Sequence, residues 1–151
     1  MERRGPVVNQ DDIAAFEARI GHRLPDEYRR FLLEVNGGRL AIENTSFSCS
    51  NINMLYSLNI ADEVHDLLTN AMTERESSLR PSLDLLSVGY DDGGAPILLV
   101  LAGEHRGEVW FENTGDPRPE DANPRVEWFD RRDMWKLANN FQEFMSSLRP
   151  L

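Results

Sequence analysis

The sequence is short of almost everything that marks an enzyme or a membrane protein. It has one cysteine, Cys49, in 151 residues. A single thiol closes no internal disulfide, and with three scattered histidines it makes no metal-ligand spacing. A nucleophilic pair of Cys49 with His65 or His105 needs a proximity that a sequence does not supply, so Cys49 reads as a semi-buried strand or loop thiol. The longest apolar run, Ala95 to Gly103, is far short of the roughly 20 residues that span a bilayer. The opening "MERRGPVVNQ" has charge but no apolar core of signal-peptide length. A cytoplasmic location is therefore expected. The patterns HExxH, CxxC, GxSxG and GxGxxG are missing. Carboxylates abound, but paired acids become catalysts only through geometry. No catalytic residue, metal or cofactor is expected, and the chain reads as a non-enzyme.

Positive charge is also scarce, and unevenly so. The net charge is −10. Residues 1–40 hold seven acids and seven arginines, whereas residues 41–151 hold nineteen acids against nine bases. Nucleic-acid binding needs cations that displace phosphate counterions, and anionic lipid makes the same demand. Neither partner is expected. An acidic surface instead favours a basic protein partner and speeds the encounter, although acidity also serves plain solubility.

What is present suits one domain over residues 1–151, with 40% apolar and 28% charged residues. Asn9 or Asp11 can cap a first helix carrying Ile13, Phe16 and Ile20, with Gly21 at its left-handed end. In "LPDEYRRFLLEVNGG" (24–38), Pro25 fits the first helical position, and Asp26 and Glu27 suit the positive end of the helix dipole. Tyr28, Phe31, Leu32 and Val35 line one face. A phosphate loop presents its glycines before a helix, with Lys-Ser or Lys-Thr following. Here Asn36, Gly37 and Gly38 come after one, so they read as a helix stop and turn.

Two short strands follow in "RLAIENTSFS" and "INMLYSLN", then a helix from about Asp62 with the stripe Val64, Leu67, Leu68, Ala71 and Met72. His65 lies one position off that stripe and reads as a boundary residue. "SSLRPS" ends the helix at Pro81. The second half offers four strand-like runs, "LDLLSVGY", "PILLVLAG", "GEVWFEN" and "RVEWFD", joined in part by the turns Asp91 to Gly94 and Gly103 to Gly107. "DDGG" lacks the spaced oxygen ligands of a calcium loop. Leu137, Phe141, Phe144, Met145 and Leu148 predict a closing helix. The order suggests α+β.

In "GEVWFEN", Val109 and Phe111 point one way and Glu108, Trp110 and Glu112 the other. Either Trp110 is an exposed anchor between two acids, of the kind found at interfaces, or it packs under a helix or loop of the same chain. Trp128 and Trp135 read as core or edge packing.

The run "IAAFEARIGHRLPDEYRRFLLEVNGG" resembles the N-terminal signature of the SUKH superfamily, named partly for fungal cell-wall-synthesis regulators. The matching positions are Glu17, Ile20, Gly21, Leu24, Pro25, Tyr28, Phe31, Leu32, Asn36, Gly37 and Gly38. "GEVWFEN" is similar to the family's "G.VY.WDH" strand, and "LANNFQEFMSSL" to its closing "A.SF.EFL..L" helix. Where the family often has Trp-Asp-His, this chain has Phe111-Glu112-Asn113, so no role of that histidine carries over. The resemblance implies an α+β domain with a central, mostly antiparallel sheet flanked by helices. It also implies an immunity protein that binds and neutralises a cognate toxin domain, often a nuclease, of a polymorphic or contact-dependent system. A nuclease needs a basic face for phosphate, and an acidic protein can occupy it. The alternative is a regulatory or scaffold module that recognises a cellular protein.

From charge and strand parity, the expected partner-binding residues are Asp91, Asp92, Glu104, Glu108, Trp110, Glu112, Glu120 and Asp121. On that reading, replacing Glu108 and Glu112 by lysine slows association and leaves folding intact.

Overall fold

Local chemistry sets the first two helices. The computed structural model describes residues 5–40, 46–47, 50–76, 84–112 and 134–149. Helix α1 (Gln10–Ile20) starts at Asn9, whose side chain accepts from the Asp12 amide at 2.9 Å, while Asp12 accepts from the Asn9 amide at 2.8 Å. This reciprocal box satisfies two helix-end donors. Gly21 closes the helix at φ 75°. Helix α2 (Asp26–Glu34) begins one residue later than expected, because Pro25 stays extended at ψ 142° and caps through its carbonyl. Glu17 explains its place in the family signature: it accepts from the Leu24 amide at 2.6 Å and pairs with Arg29 at 3.3 Å, tying α1 to the start of α2.

The remaining described elements are β1 (Ser46–Phe47), β2 (Ser50–Leu55), α3 (Leu67–Glu76), β3 (Leu85–Asp91), β4 (Pro96–Val100), β5 (Val109–Glu112), β6 (Met134–Ala138) and α4 (Phe141–Ser147). The six strands lie side by side in chain order, and every pairing is antiparallel. The fold is therefore α+β, an antiparallel sheet flanked by helices, as expected. One large core joins apolar residues of all four helices to Leu86, Ile97, Leu99, Val109 and Phe111 of the sheet. Tyr28, Phe31, Phe141 and Phe144 form its aromatic centre, with Tyr28 edge-on to Phe141 at 4.8 Å.

Two predicted helices are shorter at their starts. The helix expected from Asp62 begins at Leu67, and Val64 is exposed instead of striped into the core. Asp66 is the effective cap, accepting from the Thr69 amide at 2.8 Å. The preceding turn is held by Ser57, whose amide donates to the His65 carbonyl and whose carbonyl accepts from the Leu67 amide. Likewise Leu137 belongs to strand β6, and Asn140 caps α4 by accepting from the Glu143 amide at 2.8 Å. The "SSLRPS" stop, Cys49, Trp128 and the strand-like run "RVEWFD" lie outside the described residues. Trp135 sits on β6, at the end of the strand order, and is 41% exposed.

Tyr28 is fully buried, its hydroxyl has no hydrogen-bond partner among the described residues, and burial pushes the phenol up. A hydroxyl that gains nothing in the core is cheap to remove. Tyr28→Phe is expected to leave stability within about 1 kcal/mol of the parent, or to raise it, in urea unfolding.

Candidate functional site

The parity expected for β5 is observed, and of the two readings of Trp110 the structure shows the packed one. Trp110 lies opposite Leu98 on β4 and Lys136 on β6, so Glu108, Trp110 and Glu112 share the face away from Val109 and Phe111. That second face is also buried. Trp110 is 8% exposed and clusters with Leu98, Val100 and Met134, and Glu112 is buried beside it. Trp110 is thus packed within its own chain, the second of the two readings that the sequence left open. Sequence alternation reports which face a residue takes, not what covers that face.

Glu108 is the hub of a polar cluster at the margin of this face. One carboxylate oxygen accepts from the Trp110 indole at 3.0 Å and lies 2.8 Å from His105 Nδ1. The other accepts from Lys136 Nζ at 2.9 Å. Burial alone would raise the Glu108 carboxyl. The hydrogen bonds from Lys136, Trp110 and His105, with the Lys136 charge, outweigh it and hold the group below the usual carboxylate range. Glu108 is therefore ionised but largely neutralised by its neighbours, a structural anion more than a free one.

The other expected site residues separate in space. Asp91 is buried and builds the β3–β4 turn: it accepts from the Gly93 amide at 3.0 Å, the Ala95 amide at 2.7 Å and the Ser50 hydroxyl at 2.6 Å. This is an aspartate turn fixing its own backbone. Asp92 is exposed in the same turn, with Asn53 Nδ2 3.3 Å away. Glu104, 89% exposed, stands in the β4–β5 loop. These two anions lie at opposite ends of β4 and do not form one patch. Glu120 and Asp121 lie outside the described residues. Among the described residues, no group of three or more His, Cys, Asp or Glu side chains is placed to hold a metal ion. No helix among them is long and apolar enough to cross a membrane.

The signature residues have structural partners. Leu24, Tyr28, Phe31 and Leu32 are buried in the main core, and Pro25 is buried at the head of α2. Asn36 does more than stop a helix. At φ 54° its buried side chain donates to the Pro6 and Leu58 carbonyls at 2.7 and 2.8 Å and accepts from the Leu58 amide at 2.8 Å. A Cβ on Gly37 would overlap the Tyr56 carbonyl oxygen. Gly38 exchanges backbone hydrogen bonds with Leu55, at 2.8 and 3.2 Å. The "NGG" stretch thus holds the chain's own backbone.

Sequence reasoning missed one feature beside it. A cavity of about 300 Å³ is lined by Gly38, Met54, Ser57, Ile60, Asp62 and His65. His65 Nδ1 lies 2.6 Å from Asp62 and Nε2 3.0 Å from the Tyr90 hydroxyl, and the ring stacks on Tyr90 at 15°. The Asp62-x-x-His65 spacing was visible, but inside an assumed helix it had no distinctive meaning.

Comparison with known proteins gives one family. The profile of the SMI1 / KNR4 family (SUKH-1) matches residues 7–147. No curated protein matches the chain.

Proposed function

Because this chain belongs to the SMI1 / KNR4 family (SUKH-1), whose members generally interact with proteins, we propose that it is an immunity protein. In this reading it binds a cognate toxin domain of a polymorphic or contact-dependent system and blocks it by occupation, with no chemistry, cofactor or metal of its own. A nuclease is the favoured toxin. The observation that carries the proposal is the charge: a net −10, all of it arising in residues 41–151. A protein-binding domain so charged is complementary to a basic face, disfavours nucleic acid and anionic membranes, and associates fast with its partner.

The test is calorimetric titration against the C-terminal domain of a toxin encoded beside the gene, at two salt concentrations. The expected result is nanomolar binding that weakens with salt and abolishes toxin activity. No binding to a folded toxin domain would overturn the proposal and favour a regulatory module recognising a cellular protein. The exposed acids refine the test. Asp92→Lys combined with Glu104→Lys is expected to slow association roughly tenfold at low salt. Both side chains are exposed, so the fold is expected to persist.

A further inference from the structure

We infer that the cavity beside His65 receives one arginine or lysine side chain of the protein partner, with Asp62 as its counter-charge. This rests on the reading of a basic protein partner and names the place where such a partner is held.

Size comes first. At about 300 Å³ the cavity sits at the bottom of the range of about 300–1,000 Å³ typical of small-molecule sites. It suits one long side chain better than a cofactor. Its chemistry is divided as such a side chain is divided. Met54 and Ile60 offer apolar walls for a methylene stem, and methionine adapts its shape to what it meets. Ser57 offers a hydroxyl, and the Asp62 carboxylate stands exposed at the solvent side.

Asp62 is prepared for this role. His65 Nδ1 lies against one Asp62 oxygen and Nε2 against the Tyr90 hydroxyl, so the ring is fixed beside the carboxylate from both sides. The Val64 amide approaches the other oxygen at 3.2 Å. A carboxylate has about four acceptor sites, so two donors leave room for a guanidinium or ammonium. The hydrogen bond from His65 holds the Asp62 carboxyl below its usual range, against the smaller effect of burial.

The surroundings supply an independent observation. Three large hydrophobic residues are exposed among the described ones, and two adjoin the cavity in the chain: Val64 precedes His65, and Val7 follows Gly5, another lining residue, by two positions. They are 68% and 96% exposed. Exposed apolar side chains so close in the chain to lining residues are available to a docking partner, and apolar contacts beside a charge pair help to exclude water from it.

The test is a nuclear magnetic resonance titration of the full chain with N-acetyl-arginine methylamide and with its neutral citrulline counterpart. The arginine derivative is expected to cause saturable shifts confined to Ser57, Ile60, Asp62, Val64 and His65. Affinity is expected to fall at least tenfold for citrulline and for Asp62→Asn. Asparagine keeps one acceptor oxygen for either His65 or the Val64 amide at this exposed position, and unchanged core resonances will verify the fold. Absence of saturable shifts, an equal response to citrulline, or undiminished binding by Asp62→Asn would overturn the inference. The toxin titration separates the two readings. If Asp62→Asn binds the toxin domain as tightly as the parent, the cavity assignment falls while the immunity reading stands. If the parent binds no toxin, the immunity reading falls, and the arginine titration still decides the cavity.

Discussion

Asn36→Asp is expected to destabilise the domain by about 3–5 kcal/mol at neutral pH, one of the largest effects available from a change of so few atoms. The buried Asn36 amide donates to two carbonyls, of Pro6 and Leu58, and its oxygen accepts from the Leu58 amide. Aspartate preserves the acceptor but turns both donations into contacts between a carboxylate and a carbonyl oxygen. Asparagine, aspartate and glycine all tolerate the φ of 54° at this position, so the backbone is not what changes. Asn36→Gly supplies the control: it keeps the conformation and loses all three side-chain bonds, at an expected cost of about 3 kcal/mol. The pH dependence distinguishes the two variants. Protonation restores one donor, so the folded-state pKa of the introduced Asp is raised. Its stability is then greatest below the unfolded value of about 3.9 and falls as pH rises through the raised folded value. Asn36→Gly has no such slope. Urea unfolding across pH 3 to 7 (roughly the span of this titration) checks both. Equal pH profiles would contradict the assigned hydrogen bonds.

Asn36 also shows where a sequence is legible. Its helix-ending role follows from local chemistry, as do the Asn9 box and the Gly21 terminus, because the partners of each lie within four residues. Its second role needs Pro6 and Leu58, at separations of 30 and 22 residues, and no spacing rule reaches them. The misplaced helix starts have the same origin. Asp62 and Asp66 are equally good caps by sequence, and the choice is made by Ser57 bonding to both His65 and Leu67. Leu137 fits the helical period of Phe141 and Phe144, but its neighbours Lys136 and Ala138 pair with β5 and hold it in the strand, at the register shift between them. The cap signal at Asn140 was readable, and the apolar period concealed it. For the candidate site, alternation placed Glu108, Trp110 and Glu112 on one face correctly. The burial of Trp110 and Glu112 and the half-burial of Glu108 depend on neighbouring strands, which alternation within one strand cannot report. The charge excess was fully legible, because it is a property of composition.

That burial reverses one expectation from the sequence. Glu108→Lys is expected to cost about 2–4 kcal/mol of stability instead of leaving the fold intact. A lysine at 108 would set a second ammonium against Lys136, whose Nζ now donates to Glu108 at 2.9 Å. It would also remove the acceptor that the Trp110 indole uses at 3.0 Å. The two losses can be separated. Adding Lys136→Glu restores opposite charges across β5 and β6 but returns no acceptor to Trp110. Because the Lys136 side chain is 40% exposed, this reversal is expected to recover only about 0.5–1 kcal/mol. Glu108→Gln makes the complementary change, since its amide oxygen still accepts from Trp110 while the charge disappears. The folded-state pKa of Glu108 is lowered, so its ionised form contributes stability that is present above the unfolded value of about 4.3. That contribution is lost as pH falls through the lowered folded value. The stability difference between parent and Glu108→Gln should therefore shrink on acidification below about pH 4. Tryptophan fluorescence and circular dichroism followed through urea unfolding give both quantities. A Glu108→Lys protein as stable as the parent would mean that this carboxylate is a free surface anion after all. It would then return, with Asp92 and Glu104, to the residues available for a basic partner.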